Sequence, residues 1–435
     1  MKKMDYQNVK GTQDYLPEAE KVRRDIRRTL EDVFIQYGCQ PLETPILNYS
    51  ELLASKYGGG AEILEEMYTL SDRGERELAL RYDLTIPFAK VIAMNPAQRM
   101  PFKRYEIGKV FRDGPVKRGR FREFTQCDVD IVGVDSKVAE AELMIMAIDA
   151  FKKLKLEILI QYNNRKLLVG LLEEFGISIN NMNKTILILD KLEKVGVMNV
   201  LKELTELNVE RTTIDFIEKF LKEEEYRSFQ YLDTFSSLNR NIKEGLKELE
   251  ELKSYLSYLG IDGECVFNPF LARGLEIYTG SVYEIFLKDA SITSSIGSGG
   301  RYDNAIGGLL GSDQTFSTVG ISFGLDVIYE ALNPKERIPN KRSEVDYIII
   351  PMGAVKEALS VATALRRRGY VVELEMSQKK IGKLLNKANK DGVGKVVVIG
   401  EDEVKRNQIT IKDMNSGKET TETYVFNERQ KENFS

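Results

Sequence analysis

The stretch from Lys103 to Gly133, KRYEIGKVFRDGPVKRGRFREFTQCDVDIVG, alternates polar and apolar residues on either side of a basic segment. This pattern predicts a strand, a loop and a second strand, because successive side chains of a strand point to opposite faces. One face of the second strand carries a mixed set of side chains: Arg122, Phe124, Gln126, Asp128 and Asp130. The first strand ends at Arg112, and the loop adds further cations: Lys117, Arg118 and Arg120.

Such a face is a poor candidate for a protein core, because buried charges are costly unless they are paired. It suits the floor of a binding site for a ligand that is anionic at one end and cationic at the other. The alternative is a solvent-exposed hairpin with a hydrated polar face, since charged hairpins are common on protein surfaces. The stretch by itself leaves both interpretations open.

Composition indicates a globular protein of several domains. The chain has 435 residues, 42% of them hydrophobic and 30% charged, and such a length corresponds to roughly two to four domains. Its formal net charge of −4 gives no global support for nucleic-acid binding, so any such contact requires local basic patches. Neither an apolar run of about 20 residues nor a secretory signal is visible, so we expect no contact with a membrane.

Two residue types restrict the chemistry. The three cysteines, Cys39, Cys127 and Cys265, are far apart and odd in number, which predicts reduced thiols in a cytoplasmic protein and no metal site. The chain contains no histidine at all. This excludes a Ser-His-Asp triad, HExxH zinc chemistry and histidine general-base catalysis. Carboxylates, arginines, tyrosines, a bound metal or the substrate itself must supply the chemistry.

A second informative segment precedes the hairpin. After a predicted helix at about 17–37, strands are expected at 67–70 and 77–84, followed by a helix at about 87–94. In LALRYDLTIPFAK, the side chains of Arg81, Asp83 and Thr85 alternate onto one side. Read locally, the aspartate and threonine are helix-capping residues.

The remaining sequence divides into three further parts. Residues 164–258 have apolar positions at helical spacing and charge pairs one turn apart, which predicts an inserted helical domain. Strand patterns return over 263–332, including the glycine-rich SIGSGGRYD at 295–303. A proline-containing linker is expected at 333–345, and strands then alternate with helices in a small α/β domain, 346–435. We therefore assign 1–163 and 259–332 to one discontinuous domain.

One helix of the last domain has a basic face. Around 378–390 one side of the predicted helix carries Lys380, Lys383, Lys387 and Lys390. This face could meet a phosphate backbone, or it could simply be a hydrated surface.

Four segments, LRYDLTIPFAK, FRDGPVKRGRFREFTQCDVDIVG, LARGLEIYTGSVYE and SIGSGGRYD, resemble in the same order the histidyl-tRNA synthetases, which are class II aminoacyl-tRNA synthetases. RYDLT and QCDVDI are more similar to the archaeal and eukaryotic branch than to the common bacterial one. The resemblance implies an α+β fold: a class II antiparallel-sheet catalytic domain with a helical insertion, plus a C-terminal α/β anticodon-binding domain. It also implies ATP, Mg²⁺, L-histidine and tRNA(His) as partners, and a homodimer joined near Pro45.

The resemblance also implies residue roles. The class II arginine at the α-phosphate corresponds to Arg112, and a family-specific arginine on the opposite side corresponds to Arg273. Further ATP contacts correspond to Arg120 and Arg122, with Phe124 stacking on adenine. The residues that hold the α-amino group correspond to Asp83, Thr85 and Gln126. The imidazole pocket corresponds to Asp130, Tyr278 and Tyr302, and a carboxylate with a phenol satisfies both ring nitrogens.

Two positions depart from the family pattern. Ile277 stands where a second tyrosine usually precedes Tyr278. The third class II motif normally ends in an arginine that contacts the γ-phosphate, whereas here Gly324-Leu325-Asp326 is followed by Val327. Loss of one charge-assisted hydrogen bond costs about 1.5–3 kcal/mol, so either another cation compensates or ATP use is weakened.

Three functions are therefore compared. The first is an active histidine–tRNA ligase. The second is a weakened paralogue that senses histidine or regulates an enzyme; the known regulatory relative lacks the last domain, which this chain has. The third is a synthetase for another amino acid, against which the pair Asp130 and Tyr278 argues.

The absence of histidine from the chain leads to a prediction about its synthesis. A protein without histidine codons can be translated while histidyl-tRNA is scarce, whereas chance and drift are the competing explanations. We expect its synthesis rate to be maintained under histidine limitation while that of histidine-containing proteins falls, as pulse labelling would measure. A decline in step with the other proteins would refute the idea.

Overall fold

A computed structural model describes residues 6–55, 64–207, 209–273, 277–332, 344–377 and 379–426. The chain divides into two compact units, Met1–Pro334 and Lys335–Ser435. Most of the expected linker at 333–345 and residues 274–276 of LARGLEIY lie outside the described residues. Across the described parts, no helix combines the length and apolar character needed to cross a bilayer.

The central hairpin forms as its alternation predicted. Strand β5 (Phe102–Phe111) pairs antiparallel with β6 (Glu123–Val132), so that Phe102 faces Val132 and Phe111 faces Glu123. Strand β11 (Thr318–Gly324) pairs with the other edge of β6. The polar face of β6 therefore lies in the middle of a sheet, where both neighbours contribute side chains to it.

In the described chain this sheet has eight strands in the order β1-β5-β6-β11-β10-β9-β7-β8. The remaining strands are β1 (Gln40–Pro41), β7 (Ile158–Asn164), β8 (Cys265–Phe267), β9 (Ser281–Leu287) and β10 (Gly297–Arg301). The edge strands β1 and β8 run parallel to their neighbours, and the internal pairs are antiparallel. Pro41 lies in an edge strand, as expected for a residue without an N–H.

Two long helices cover the apolar face of the sheet. Helix α1 (Pro17–Gln36) starts with proline in its first turn, and α4 (Val138–Lys153) follows the hairpin. Their aromatic side chains pack onto β11, with the Phe323 ring 5.9 Å from Phe34 and 5.6 Å from Phe151. This core covers the apolar face of the sheet, so that the polar face remains available for ligands.

A three-stranded sheet and short helices border the polar face. They comprise α2 (Ser50–Leu53), α3 (Thr85–Met94) and α12 (Ala305–Leu309), with the sheet β2 (Leu47–Tyr49), β4 (Glu77–Leu80) and β3 (Thr69–Ser71). Helix α13 (Leu325–Ala331) packs instead on α1, with Leu325 and Ile328 in the core. The predicted strand at 77–84 is shorter than expected, because the chain leaves the sheet after Leu80 and enters α3 at Thr85.

The region expected to be helical is helical where it is described. Its helices are α5 (Arg165–Glu174), α6 (Ile179–Leu189), α7 (Leu192–Val195), α8 (Val197–Glu206), α9 (Arg211–Lys222), the 3₁₀ turn Glu224–Arg227, α10 (Phe229–Asp233) and α11 (Arg240–Leu259). Helices α5 and α11 pack closely at Gly245, where an added Cβ would lie 2.6 Å from the backbone nitrogen of Leu167. That these helices form a separate inserted domain, 164–258, stays a prediction.

The second unit is an α/β domain. Its sheet has the order β13-β12-β14-β15-β16 among the described residues, parallel over the first three strands and antiparallel over the last three. The elements are β12 (Tyr347–Met352), α14 (Val355–Arg367), β13 (Val372–Leu374), α15 (Ile381–Lys390), β14 (Lys395–Gly400), α16 (Glu401–Arg406), β15 (Gln408–Asp413) and β16 (Glu419–Thr423).

A buried carboxylate ties α1 to the sheet. Asp326, at the start of α13, accepts hydrogen bonds from Arg23 Nη1 at 2.5 Å and from the Tyr15 hydroxyl at 2.6 Å. It also accepts the backbone N–H of Thr125 in β6 at 2.9 Å. Three segments far apart in sequence therefore share one buried anion, which is stabilised because it is paired and hydrogen-bonded.

We expect Asp326→Ala to lower the free energy of unfolding by about 3–5 kcal/mol, because it leaves Arg23 as a buried cation without its carboxylate. Chemical denaturation followed by circular dichroism measures the change. The matched control is Glu330→Ala in the same helix, which removes a partly exposed pair with Arg118 and should cost less than about 1 kcal/mol. Equal losses from both substitutions would contradict the proposed anchoring.

Candidate active site

Two adjoining cavities open on the polar face of the large sheet. The larger has a volume of about 500 Å³ and the smaller about 50 Å³, and Ser298 lines both. Their sizes suit two different ligands: a nucleotide fits only the larger, and the smaller suits one compact ring. The two cavities together match the expectation of a ligand site above the hairpin.

Most of the predicted amino-acid-binding residues line the smaller cavity. Those present are Asp83, Thr85, Asp130, Tyr278 and Tyr302. Asp128, to which the sequence analysis gave no role, lines it as well. Ile277, in the place of the usual tyrosine, contributes an apolar wall.

A buried ionic network lies beneath this cavity. Arg104 is fully buried, and its Nη2 lies 2.6 Å from Asp130 Oδ2 and donates to the Leu84 carbonyl at 3.0 Å. Glu106 lies 3.5 Å from Arg104 and 2.7 Å from Arg81. Each of these two carboxylates thus has a guanidinium partner, which offsets the cost of burying it.

Asp130 is held on both of its oxygens. Oδ2 lies against Arg104, and Oδ1 accepts a short hydrogen bond from the Tyr302 hydroxyl. The carboxylate lies across Gly320 of β11, where an added Cβ would be 2.0 Å from Oδ1, so only glycine leaves room for it. Burial raises the pKa of Asp130, while Arg104 and the Tyr302 hydroxyl act in the opposite direction.

Asp83 contacts the start of α3 and also lines the smaller cavity. Its Oδ1 accepts the backbone N–H of Ile86 at 3.2 Å, as a residue that caps α3 would. Burial raises the pKa of Asp83 to about 6. The positive charge of Arg112 partly offsets this rise in the pKa. Since Asp83 lines the smaller cavity and Arg112 the larger, the two cavities interact electrostatically.

Gln126 lies next to the smaller cavity and not in its lining. Its amide donates to the Ser322 hydroxyl at 2.8 Å, and Ser322 does line the cavity. The Gln126 carbonyl oxygen is buried and has no hydrogen-bond partner among the described residues. An ammonium group of a ligand would supply that donor.

Three of the four predicted ATP residues line the larger cavity. Arg112, Arg120 and Phe124 are present, and the Arg112 guanidinium lies 5.3 Å from the centre of the Phe124 ring. Arg122 does not line either cavity; it pairs with Asp113 at 2.8 Å and packs against Gly11. Arg122 lies just before β6, so strand alternation does not fix its direction, and the sequence could not show that it pairs with Asp113.

The two predicted catalytic arginines share the larger cavity. Arg112 Nε donates to the Tyr82 carbonyl at 2.9 Å, and Arg273 makes a short ion pair with Glu284 of β9. Burial lowers the pKa of Arg112. Burial acts on Arg273 in the same direction, but Glu284 and the Tyr278 hydroxyl outweigh it and raise its pKa. Both side chains are thereby held in place before a ligand arrives.

Val327 lines the larger cavity next to the basic loop. A Cβ added at Gly119 would lie 3.5 Å from the Cα of Val327, so the loop passes directly over this position. Lys117, Arg118 and Arg120 line the same cavity. Three basic side chains of the loop therefore line the cavity in which the third-motif arginine would otherwise stand.

No group of three acidic, cysteine or histidine side chains in the described chain is arranged to hold a metal. The larger cavity contains single carboxylates, among them Glu284 and Asp190. Mg²⁺ retains several waters and uses one or two carboxylates together with substrate phosphates. These residues therefore fit a magnesium ion that enters with a nucleotide.

Comparison with known proteins identifies the chain. A solved structure, the histidyl-tRNA synthetase from Nostoc sp. PCC 7120, is 30% identical, covers 97% of each chain and has a TM-score of 0.80. The sheet, the flanking helices and the arginine-lined cavity define a class II aminoacyl-tRNA synthetase. The family described as "Histidyl-tRNA synthetase" matches residues 11–328, and "Anticodon binding domain" matches 346–426. The chain belongs to the histidyl-tRNA synthetase family.

Two further relatives differ in what they imply. A protein of Shouchella clausii named "Histidine--tRNA ligase 2" is 57% identical over 426 residues, which cover 98% of this chain and 100% of that protein. A structure described as "ATP phosphoribosyltransferase regulatory subunit/histidyl-tRNA synthetase" from Bacillus halodurans has a TM-score of 0.75 but 20% identity, over 92% of this chain and 99% of that one. The second likeness shows the fold alone.

Proposed function

We propose that this chain is a histidine–tRNA ligase, which activates L-histidine with ATP and transfers it to the 3′ end of tRNA(His). The observation that carries the proposal is that Arg112 and Arg273 line one nucleotide-sized cavity, beside a small pocket that contains Asp130 and Tyr278. Identity of 57% over 98% of the chain to a protein named as a histidine–tRNA ligase supports it independently.

The chemistry needs no histidine side chain. The carboxylate of the amino acid attacks the α-phosphorus of ATP; a carboxylate–phosphorus bond forms, and the bond to pyrophosphate breaks. The attacking group is already anionic, so no general base is required in this step. The barrier falls through alignment and through stabilisation of the charge that develops on the phosphoryl oxygens. The tRNA hydroxyl then attacks the activated carbonyl: the ester bond forms, the bond between the carbonyl and the phosphate breaks, and AMP leaves while its phosphate or water takes up the hydroxyl proton.

Arginines supply that charge stabilisation. Arg112 contacts the α-phosphate from one side and Arg273 from the other, with Arg120 toward the remaining phosphates and Phe124 against adenine. Arg122 reaches phosphate only if it leaves Asp113. A magnesium ion would be held by the ATP phosphates, by water and by a cavity carboxylate, Glu284 or Asp190, and it would supply neutralisation of part of the phosphate charge.

The smaller cavity holds the amino acid. Asp83, Thr85 and Gln126 bind its ammonium group. The buried carbonyl oxygen of Gln126 is an acceptor without a donor in the described chain, and an ammonium group supplies that donor. The imidazole enters the pocket of Asp130, Tyr278 and Tyr302. Phenol and carboxyl groups match a ring that has both a donor and an acceptor.

The remaining assignments concern partners and location. The α/β domain, 346–435, reads the anticodon, and the lysines of α15 give it a cationic face. The chain forms a homodimer near Pro45, and the exposed apolar side chains of Ile46, Leu47 and Tyr49 support this. Three buried free cysteines are compatible with a cytoplasmic location.

We expect the purified chain to exchange pyrophosphate into ATP only when L-histidine is present, and Arg273→Ala to lower kcat by about 100- to 1,000-fold, as for loss of one preorganised donor. The assay is ATP–pyrophosphate exchange, followed by aminoacylation of one defined tRNA(His). Arg240→Ala, which removes only an exposed pair with Glu244, serves as the control and should leave kcat unchanged. Absence of exchange at saturating ATP would refute the proposed function.

Val327 supports a second candidate, a weakened paralogue that senses histidine or regulates an enzyme. The substitution removes a cation from the cavity and so favours a degraded site. The basic loop opposes this interpretation, because it packs over Val327 and its cations line the same cavity. The anticodon-binding domain also opposes it, since a regulator has no need to read tRNA.

We expect Val327→Arg to change kcat/KM for ATP by less than about threefold, because the loop already supplies the missing cation. Exchange rates at varied ATP concentration measure this. A gain of tenfold or more, equivalent to about 1.4 kcal/mol, would instead indicate a degraded site and favour the paralogue. Val327→Leu, which adds volume without charge, separates the effect of charge from that of size.

A further inference from the structure

The basic loop between β5 and β6 ends in a tight turn. Lys117 and Arg120 exchange two backbone hydrogen bonds, at 3.1 Å and 2.9 Å, so Arg118 and Gly119 form the tip. Gly119 has a φ of 70°, which glycine adopts without steric cost. The tip lies against α13, since a Cβ added at Gly119 would be 3.5 Å from the Cα of Val327. The loop therefore contacts the helix at the residue that departs from the third class II motif.

Arg118 extends from this tip along α13. Its Nε donates to Glu330 Oε2 at 3.1 Å. Glu330 follows Val327 by three residues, and residues three apart are neighbours on one side of a helix. Arg118 and Val327 also line the same cavity. The guanidinium of Arg118 is thus beside the position at which Val327 leaves the cavity wall without a charge.

Arg118 differs in this respect from the other basic residues of the loop. Arg120 lies 3.5 Å from Glu66, a residue before β3. Lys117 is in the bridge below the tip, opposite Arg120. Arg112 directly follows β5, at the base of the loop. The two cavity-lining arginines Arg112 and Arg118 therefore stand at opposite ends of the loop, which suits the first and the last phosphate of a triphosphate.

The ion pair of Arg118 can be exchanged for a ligand. The side chains of Arg118 and Glu330 are 66% and 28% exposed. Such a pair is weak, because water and salt screen it. A terminal phosphate carries more negative charge than a carboxylate and accepts two hydrogen bonds from the guanidinium fork. The helix itself stays in place, because Asp326 accepts the backbone N–H of Thr125 in β6 at 2.9 Å.

We propose that Arg118 leaves Glu330 when ATP binds and contacts the γ-phosphate, so that a residue of the basic loop takes the part of the arginine that Val327 replaces. This inference rests on the proposed function and names the residue that compensates for Val327. Arg112 contacts the α-phosphate from the base of the loop, and Arg118 contacts the terminal phosphate from its tip. Removal of Arg118 therefore weakens the binding of a nucleoside triphosphate and spares that of a diphosphate.

Equilibrium binding tests the assignment without relying on catalysis. Isothermal titration calorimetry of the full chain, with magnesium and without histidine, gives Kd for ATP and for ADP, which lacks the γ-phosphate. Arg118→Ala should raise Kd for ATP by about 10-fold or more, as for loss of a charged hydrogen bond, and Kd for ADP by less than about threefold. Arg118→Lys, which keeps the charge without the fork, should lie between wild type and Arg118→Ala.

Arg76→Ala is the matched control. The Arg76 side chain is 63% exposed, pairs with Asp72 much as Arg118 pairs with Glu330, and lines neither of the two cavities described. Its loss should leave both dissociation constants unchanged.

Glu330→Gln separates a contact with phosphate from a purely structural role of Arg118. If Arg118 binds phosphate, this variant should keep or lower Kd for ATP, because it releases the arginine. If Arg118 only holds the loop on α13, ATP binding should weaken as much as in Arg118→Ala.

A double variant tests whether the loop and the helix can supply the same cation. Val327→Arg alone should alter ATP binding little. Arg118→Ala combined with Val327→Arg should bring Kd for ATP back to within about threefold of wild type, because the two positions are coupled through one phosphate. A double variant that binds ATP as weakly as Arg118→Ala would overturn the proposed substitution.

Three further results would overturn the role of Arg118: equal weakening of ATP and ADP in Arg118→Ala, no weakening of either, or ATP binding as weak in Glu330→Gln as in Arg118→Ala. Pyrophosphate exchange separates this inference from the proposed function. Selective loss of ATP binding in Arg118→Ala, with no exchange by wild type, would refute the ligase activity and leave the role of Arg118 intact. Exchange by wild type and Arg118→Ala with equal KM for ATP would refute the role of Arg118 and leave the ligase activity intact.

Discussion

The guanidinium of Arg104 is the charge around which the amino-acid pocket is built. A buried cation must be paired, and this one meets Asp130 at 2.6 Å, the Leu84 carbonyl at 3.0 Å and the face of Phe88 at 4.4 Å. These contacts join β5, β6 and the start of α3. Moving β6 or the start of α3 would remove at least one of these contacts from the buried cation, which ties the segments of the pocket floor together.

The same requirement divides the carboxylates into two groups. Asp130 and Glu106 pair with buried arginines, and Asp130 also lines the cavity. Asp128 and Asp83 line it too, but neither forms an ion pair among the described residues. Gly320 makes the division possible, since any side chain there would collide with Asp130. A site in which structural charges are already balanced leaves the remaining groups for the ligand.

In the larger cavity the groups that are held in place are cations, and their partners are oxygen atoms of the protein. Arg112 and Arg273 are held by a carbonyl oxygen and by Glu284, so both are aligned without a ligand. The first step needs no proton transfer because the attacking carboxylate is already anionic, and fixed cations can stabilise the charge that develops on the phosphoryl oxygens. This explains how a chain without histidine can carry out the chemistry of its family.

Alternation, helical periodicity and motif order were sufficient to predict the hairpin, the long helices, the α/β unit and the family. Side-chain direction depends only on neighbours along the strand, so the sequence placed Arg112, Phe124 and Asp130 on the correct face. It could not show that Arg122 pairs with Asp113 outside the cavity, or that Tyr302 and Arg104 both contact Asp130. Those facts depend on strand register and on residues up to about 170 positions away, such as Tyr302 from Asp130. The sequence by itself determined which chemical groups face the site; the tertiary structure decided which of them are already paired, because pairing of buried charges is a property of neighbours in space.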